Sequence, residues 1–574
     1  MNTGKPTDGR QQGTTVELGD IDGQTLPSGK TAIILVLILL GSLAVRFLCF
    51  AGVESSDSIG YVQAAGNAAT GKYPWRGYPA VYSRIGFVLP LAPLVGYWGY
   101  GLRTPALYNL ACSLGLVVLT FSIGRTLFSR QAGLWAAAVI AASTLAVVNG
   151  TSVLPDTPQA FFCALSIALA LAAGRGPGRP GVGVFCVAAG AALGVAWLCK
   201  CTSVFVTPAL LLIVLGMRHR KGLASACGIA GFGLVLLLEM AFWAAVSGHP
   251  LERFHILFGS GSASASGRIY AEQSLWEYPT KMFVIVSDDG LFYYLLVAAV
   301  IWSLLRARGR AAVALIWLAS YFLISQFGAV SFSPYRSFWH QPRYLMTLVP
   351  AGAVLAGAWL CTIARRHPRI ATVLYLLYAA PCLLLAYVSP VQTHTPAVAA
   401  KTAVDIFRRI QPPEVYTDRA FAQLIDYFGR NDTRQLPPVR PWLTEDLEPA
   451  VDVAARPGAL VVRFDGTLRR AIAGQAKGLT ADQIHAGIEA VASKERVPVR
   501  YGGPQRAVMG WMWSLLRKAP LPEGVSRRLK SAFSRHLAEP VLIIYRIAQP
   551  GYVPASSPND GAASTRPTGN AAKT

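Results

Sequence analysis

Within residues 52–100 three kinds of side chain stand close together. There is a carboxylate, Asp57, three residues after Glu54, a set of cations, Lys72, Arg76 and Arg84, and a series of aromatic rings, Tyr61, Tyr73, Trp75 and Tyr82. The stretch follows directly on an apolar run of spanning length, so Asp57 stands at a bilayer surface with cations after it. An ordinary carboxylate, with a reference pKa of about 3.9, is ionised at neutral pH and is able to take a proton from a hydroxyl. Neighbouring cations are suited to hold an anionic lipid. The plainer readings are a solvated loop acid or a helix N-cap for Asp57, and interfacial anchors for the aromatic residues.

Other groups of the same kind recur further along. Asp156 opens an apolar run as Asp-Thr-Pro, the place of an N-cap acid followed by an early proline. It caps the helix, orients an acceptor or ligates a divalent ion such as Mg2+ or Mn2+, to which two carboxylates at a distance are only a loose match. Lys200 lies between two apolar runs, where a charge at mid-membrane costs about 2.5–3.5 kcal/mol. It either snorkels to the surface or meets an anion. Arg343 brings a planar fork that bonds phosphate through two parallel hydrogen bonds. The spacing of His249, His255 and His340 makes no metal signature.

The elements that must position these groups are membrane helices. Of 574 residues 53% are hydrophobic and 14% charged, against about 25% charged in soluble domains, so an ordinary soluble fold is excluded. The net charge of +23 does not point to nucleic acid, because the cations of the apolar part lie in short loops. The nine cysteines all fall in apolar segments, which argues against a disulfide framework or a structural zinc site. Eleven runs have spanning length: 31–50, 106–124, 131–149, 156–174, 181–199, 201–217, 223–246, 289–306, 311–328, 344–363 and 370–389.

Arg125, Arg130, Arg306, Arg310, Arg365 and their neighbours occupy alternate loops free of acids, which are expected to be cytoplasmic, while the acids collect on the other face. The run 85–100 carries Pro90 and Pro93 and ends in Tyr97, Trp98 and Tyr100, which favours a helix in or dipping into the interface. The expected organisation is a disordered cytoplasmic tail at 1–30, a transmembrane domain at 31–390 with an outer loop at 51–105, an extracytoplasmic α/β domain at 391–552, and a disordered tail at 553–574. The small-residue stretch 259–267 has the composition of a mobile lid or a passive loop. Residues 509–533 suit either a membrane-surface element or a core helix followed by a basic one.

Several stretches, taken in order, resemble the integral-membrane glycosyltransferases of the GT-C fold, the superfamily of protein O-mannosyltransferases and the aminoarabinose transferase. They are D-S-x-x-Y with a following G-x-Y-P (Asp57, Ser58, Tyr61, Gly71, Tyr73, Pro74), the basic Arg84, and L-P-D-T-P-x-x-F-F (Asp156, Phe161, Phe162). Then come L-C-K-C-T-S-V with a later proline (Lys200, Thr202, Pro208) and P-R-Y-L-M-T-L-V-P (Arg343, Tyr344, Pro350). The resemblance implies a polyprenyl-phosphate sugar donor and an inverting transfer outside the cytoplasm, at a plasma or inner membrane. The acceptor would be a lipid, a glycan or a protein, with no nucleic acid involved. Asp57 matches the acid that serves as base and Asp156 a second acid of the site. Arg84, Lys200, Arg343, Tyr344 and Tyr61 fall to substrate binding. Where protein O-mannosyltransferases usually show Asp-Glu, this chain has Asp57 followed by Ser58, which counts against a protein acceptor specifically. The rival reading is a transporter or lipid-linked sugar flippase, for which Glu239, inside its helix, would be the indicative charge.

Overall fold

A computed structural model describes residues 27–54, 57–73, 79–174, 181–217, 221–258, 276–283, 290–332, 335–337, 340–430, 436–441, 459–464, 492–499, 503–518 and 540–547. Residues 1–26 and 553–574 of the expected tails, the motif residue Pro74, Trp75 and Arg76, the stretch 259–267 and the basic continuation at 519–533 fall outside these residues, while the end of the expected first tail, from Ser28, is already helical. The chain divides into two compact units, Met1–Val398 with Arg500–Ala538, and Ala399–Val499 with Glu539–Thr574.

The first unit is helical. Eight of its helices are long and apolar enough to cross a bilayer: Ser28–Leu48, Thr104–Leu127, Asp156–Gly174, Val182–Cys199, Lys221–Ser247, Gly309–Phe327, Pro342–Arg366 and Pro368–Ser389. Two more expected runs form the shorter helices Cys201–Gly216 and Phe292–Arg306. The run at 131–149 is interrupted at Ser143 into Arg130–Ala142 and Thr144–Asn149. Helix Ile85–Trp98 has 14 residues with Pro90 and Pro93 inside it. At 1.5 Å per residue it spans about 21 Å, short of the roughly 30 Å hydrocarbon core.

Pro342–Arg366 is the central element, 83% of its apolar window being buried, whereas Ser28–Leu48 is peripheral at 17%. Small residues set the closest approaches, as lipid-embedded helices require. Gly190 lies against the carbonyl of Gly228 and Gly231 against that of Val187, so Val182–Cys199 and Lys221–Ser247 touch backbone to backbone. The peripheral helix is pinned by Arg46, fully buried, which donates from Nε to Ser113 Oγ at 2.8 Å and from a terminal nitrogen to the Ser42 carbonyl. All nine cysteines are free thiols.

The second unit is a small α/β layer. Strands β3 (Val415–Thr417), β4 (Val439–Pro441), β5 (Leu460–Phe464), β6 (Ala492–Pro498) and β7 (Val541–Ile547) form one sheet in the order β4-β3-β5-β7-β6, parallel on the β4-β3-β5 side and antiparallel on the other. Helix Arg419–Gly429 is capped by Asp418, whose carboxylate accepts from the Phe421 N–H at 3.0 Å, and packs Phe421 on Phe464 of β5 at 5.5 Å. In the first unit a separate two-stranded ribbon, β1 (Ala329–Phe332) with β2 (Tyr335–Ser337), precedes the segment that carries Arg343.

Candidate active site

A single backbone bridge brings the two expected acids to the same end of the bundle. After the first helix the chain turns at Gly52, whose φ of 66° suits glycine, and pairs with Ser152. The Gly52 N–H donates to the Thr151 carbonyl at 2.7 Å, and the Val153 N–H donates back to Gly52. Ser152 Oγ donates to Glu54 Oε1 at 2.8 Å, tying the same two stretches through their side chains. Asp57 begins helix Asp57–Ala69 just after the bridge on one strand, and Asp156 begins helix Asp156–Gly174 just after it on the other. Ser58 has a structural task here, since its hydroxyl donates to the Glu54 carbonyl and accepts from the Glu54 N–H, closing the turn that leads into Asp57.

Each acid holds a cation from a distant part of the chain. Lys200 Nζ is 2.7 Å from Asp156 Oδ1, with the side chains 7% and 3% exposed. Arg343 is 2.6 Å from Asp57 Oδ2, with the side chains 22% and 31% exposed. Tyr344 joins the two pairs, its ring lying 3.3 Å from the Lys200 ammonium and 5.6 Å from the Arg343 guanidinium. Arg84 donates to the Tyr61 hydroxyl and lies over that ring at 5.5 Å. Burial works against the charge of Arg84, yet Tyr61, Tyr344, Asp156 and Asp57 more than offset it, so its pKa is raised. Burial likewise raises the Tyr61 phenol, with Arg84 opposing. The seven residues singled out in the sequence therefore form one cluster in which three cations meet two carboxylates.

The exposures separate the two ion pairs by accessibility. Asp156 and Lys200 are sealed in, so their pair fixes the ends of two helices, while Asp57 and Arg343 remain open to a ligand. Beneath the sealed pair Gln159 donates to Thr202 at 2.8 Å, and Thr202 lies 3.3 Å from the Tyr321 hydroxyl, which locks the turn after Lys200. Gly86, two residues beyond Arg84, lets its helix rest on that same turn. A Cβ there would meet Leu198 Cβ at 2.6 Å and the Leu198 and Cys199 backbone at 2.9 and 3.0 Å. Backbone cannot yield as a side-chain tip does, so Gly86→Ala is expected to push Arg84 away from Lys200 and lower any activity of this site at least tenfold, with the folded yield kept. A normal turnover for Gly86→Ala would show that Arg84 and Lys200 need not be in register.

Three features here escaped the sequence. Glu239 is buried and paired with Arg253 at 2.8 Å, and it accepts from Trp197 Nε1 at 3.1 Å. Arg253 also donates to the Trp197 carbonyl and lies over that indole at 5.1 Å, three residues before Lys200. Tyr73 stacks on Trp243 at 6.2 Å and Tyr82 lies edge-on to it at 6.0 Å, so two of the loop's tyrosines pack inward. No single segment signals these contacts, which exist only once Lys221–Ser247 and Glu252–Phe258 are folded together. A divalent ion does not fit the residues present. Each carboxylate of the cluster is already held by a cation, and among the described residues no three His, Cys, Asp or Glu side chains gather as ligands.

Residues 100–244, about a quarter of the chain, match the family model described as dolichyl-phosphate-mannose-protein mannosyltransferase. No curated protein matches the chain. Among solved structures it is similar to the oligosaccharyltransferase AglB of Archaeoglobus fulgidus in complex with an inhibitory peptide and a dolichol-phosphate, with a TM-score of 0.52 at 11% identity over 90% of this chain and 88% of that one. It is also similar to ArnT of Cupriavidus metallidurans, with a TM-score of 0.51 at 15% identity over 78% of this chain and 96% of that one. For ArnT bound to undecaprenyl phosphate the values are 0.50, 14%, 83% and 97%. At such identities the likeness is one of fold, and the fold is GT-C, as the ordered motifs suggested; the chain is an integral membrane protein of that architecture.

Proposed function

We propose that the chain is a membrane glycosyltransferase that moves a sugar from a polyprenyl-phosphate donor to an acceptor hydroxyl on the extracytoplasmic side of a plasma or inner membrane. The observation that carries the reading is the accessible Asp57–Arg343 pair set beside Arg84, Lys200 and Tyr344 at one end of a GT-C bundle. Two of the similar structures, one in complex with a dolichol-phosphate and one bound to undecaprenyl phosphate, support a lipid phosphate as the donor's leaving part. The matched family's name and the positive-inside charge pattern support the same class of donor and the orientation.

In this reading Asp57 takes the proton of the acceptor hydroxyl, the acceptor oxygen bonds to the anomeric carbon from the face opposite the phosphate, and the carbon–phosphate oxygen bond breaks with inversion. The polyprenyl phosphate leaves with the bonding pair. Arg343 and Arg84 meet the charge that develops on it, and the enclosed Lys200 adds its positive field from behind them. Without donor, Arg343 rests on Asp57; a phosphate that draws the guanidinium away leaves the carboxylate free to act as base. Asp156, sealed against Lys200, serves to aim that ammonium.

The test is transfer from radiolabelled polyprenyl-phosphate sugars in membranes that contain the protein, against membranes that lack it. Label is expected in a lipid, glycan or protein fraction only where the protein is present, and the fraction names the acceptor. A chelator is expected to leave transfer unchanged, because Asp156 stays committed to Lys200 and Asp57 by itself gives an ion too few ligands. Absence of transfer from every donor, by folded protein in membranes of the source cell, would sink the reading.

A further inference from the structure

At the end of the membrane domain away from Asp57 there is a second cationic assembly. Helix Val349–Arg366 starts beside the Arg343 segment and carries Arg365 in its last turn, about 24 Å further on at 1.5 Å per residue. Around that far end lies a cavity of about 300 Å3, lined by Arg306, Arg310 and Arg365 from three different helices, together with Ser129, Thr362 and Trp302. No aspartate or glutamate is among its lining residues. We propose that this cavity binds a phosphoryl group, a phosphate ester carried by a lipid headgroup or by a soluble molecule, at a site separate from the candidate active site.

The ordinary role of arginines at such a helix end is to orient the membrane loops, and a last-turn arginine also complements the helix dipole. Those roles account for Arg306 and Arg365, which close their helices. The dipole does not account for Arg310, which stands in the first turn of Arg308–Phe327, where it is already positive. A second helix, Arg130–Ala142, starts at the same cavity and also has no acid in its first turn. Two positive helix ends and three guanidinium groups thus face one space. Like charges gathered around a cavity repel unless an anion joins them, and a phosphoryl group matches arginine forks and the positive ends of helices together. The Ser129 hydroxyl caps its own helix by accepting from the Ala132 N–H at 3.2 Å and lies 3.9 Å from Cys361 Sγ, which fixes it on the cavity wall. Trp302, partly buried, gives the rim the amphipathic character that suits the headgroup level.

The test measures two ligands separately on purified full-length protein. One arm follows phosphatidylglycerol, with phosphatidylcholine as control, by native mass spectrometry after delipidation; the other follows inorganic phosphate by isothermal titration. The variants are Arg306→Gln, Arg310→Gln, Arg365→Gln, the triple variant, Arg310→Lys, and Arg366→Gln, which removes a charge from the same helix end but not from the cavity lining. At about fivefold per arginine near a membrane surface, the triple variant is expected to lose affinity by on the order of a hundredfold. Arg366→Gln is expected to stay within twofold of wild type. Arg310→Lys keeps the charge that orients the loops, so weaker binding in that variant reports the lost fork rather than altered topology. Phosphatidylglycerol bound without phosphate identifies a lipid headgroup as the source, and phosphate bound on its own identifies a soluble phosphoryl compound. No binding of either by folded protein, or an equal loss in Arg366→Gln, overturns the proposal.

Discussion

Asp57→Asn is expected to lower the turnover of sugar transfer by about 10²–10⁴-fold, the usual contribution of a general base, while the donor binds no more weakly than to wild type. The second half of that expectation comes from the ion pair. Arg343 lies 2.6 Å from Asp57, so a donor phosphate must compete with this carboxylate for the guanidinium. An amide in place of the carboxylate removes the competitor along with the base, and KM for the donor stays level or falls. Arg343→Ala is expected to do the reverse to binding. It loses a charge-assisted hydrogen bond of about 1.5–3 kcal/mol to the phosphate, roughly 10- to 150-fold in KM, and leaves Asp57 free. Steady-state kinetics over donor concentration for both variants separates the roles. If Asp57→Asn instead raised KM and spared turnover, the carboxylate would be a positioning group and the base would have to be sought elsewhere.

What the sequence made legible were the elements and the charged groups, and what it hid were the pairings. Spanning length and the loop cations identified the membrane helices because hydrophobic thickness is a one-dimensional requirement, readable from a run of residues. Strands β3, β5 and β7 carry a local mark too, being rich in β-branched residues and largely buried, whereas β4 and β6 do not. β4, at Val439–Pro441, is only three residues long, and β6, at Ala492–Pro498, is charged at Lys494, Glu495 and Arg496. Lys200 stood out because a charge is costly between two apolar runs, and Asp57, Asp156 and Arg343 stood out by residue type and place in the ordered motifs. Nothing local tells which acid meets which cation, since Arg343 and Asp57 are 286 residues apart. The bridge at Gly52 and Ser152 brings the two acids to one end, and its hydrogen bonds are main-chain ones that leave little mark in the sequence beyond the glycine. Ser58 shows the same limit from the other side. As a departure from the Asp-Glu pattern it reads as a change of chemistry, yet in the fold it closes a turn on Glu54.

The buried Glu239–Arg253 pair carries the largest expected effect on stability. Both side chains are almost wholly enclosed, at 3% and 2% exposure, and Arg253 stands at the start of a short helix directly after the membrane helix that bears Glu239. Removing one partner strands the other charge in a low-dielectric interior, which costs about 3–5 kcal/mol, whereas removing both at once takes away the desolvation penalty as well as the attraction. Arg253→Ala and Glu239→Ala are therefore each expected to melt well below wild type in detergent and to yield little monodisperse protein. Glu239→Gln with Arg253→Gln is expected to recover most of the loss, because the amides still satisfy Trp197. The recovered double variant then reads a second property. Arg253 holds the Trp197 carbonyl three residues before Lys200, so a stable double variant with weakened donor binding would show that the pair also sets the position of the Lys200 turn. Unchanged donor binding would confine the pair to stability, and single variants as stable as wild type would show that the two charges are not enclosed together. A charge that a transporter reading would assign to a translocation path is, at this position, spent on holding two helices and the turn after them in place.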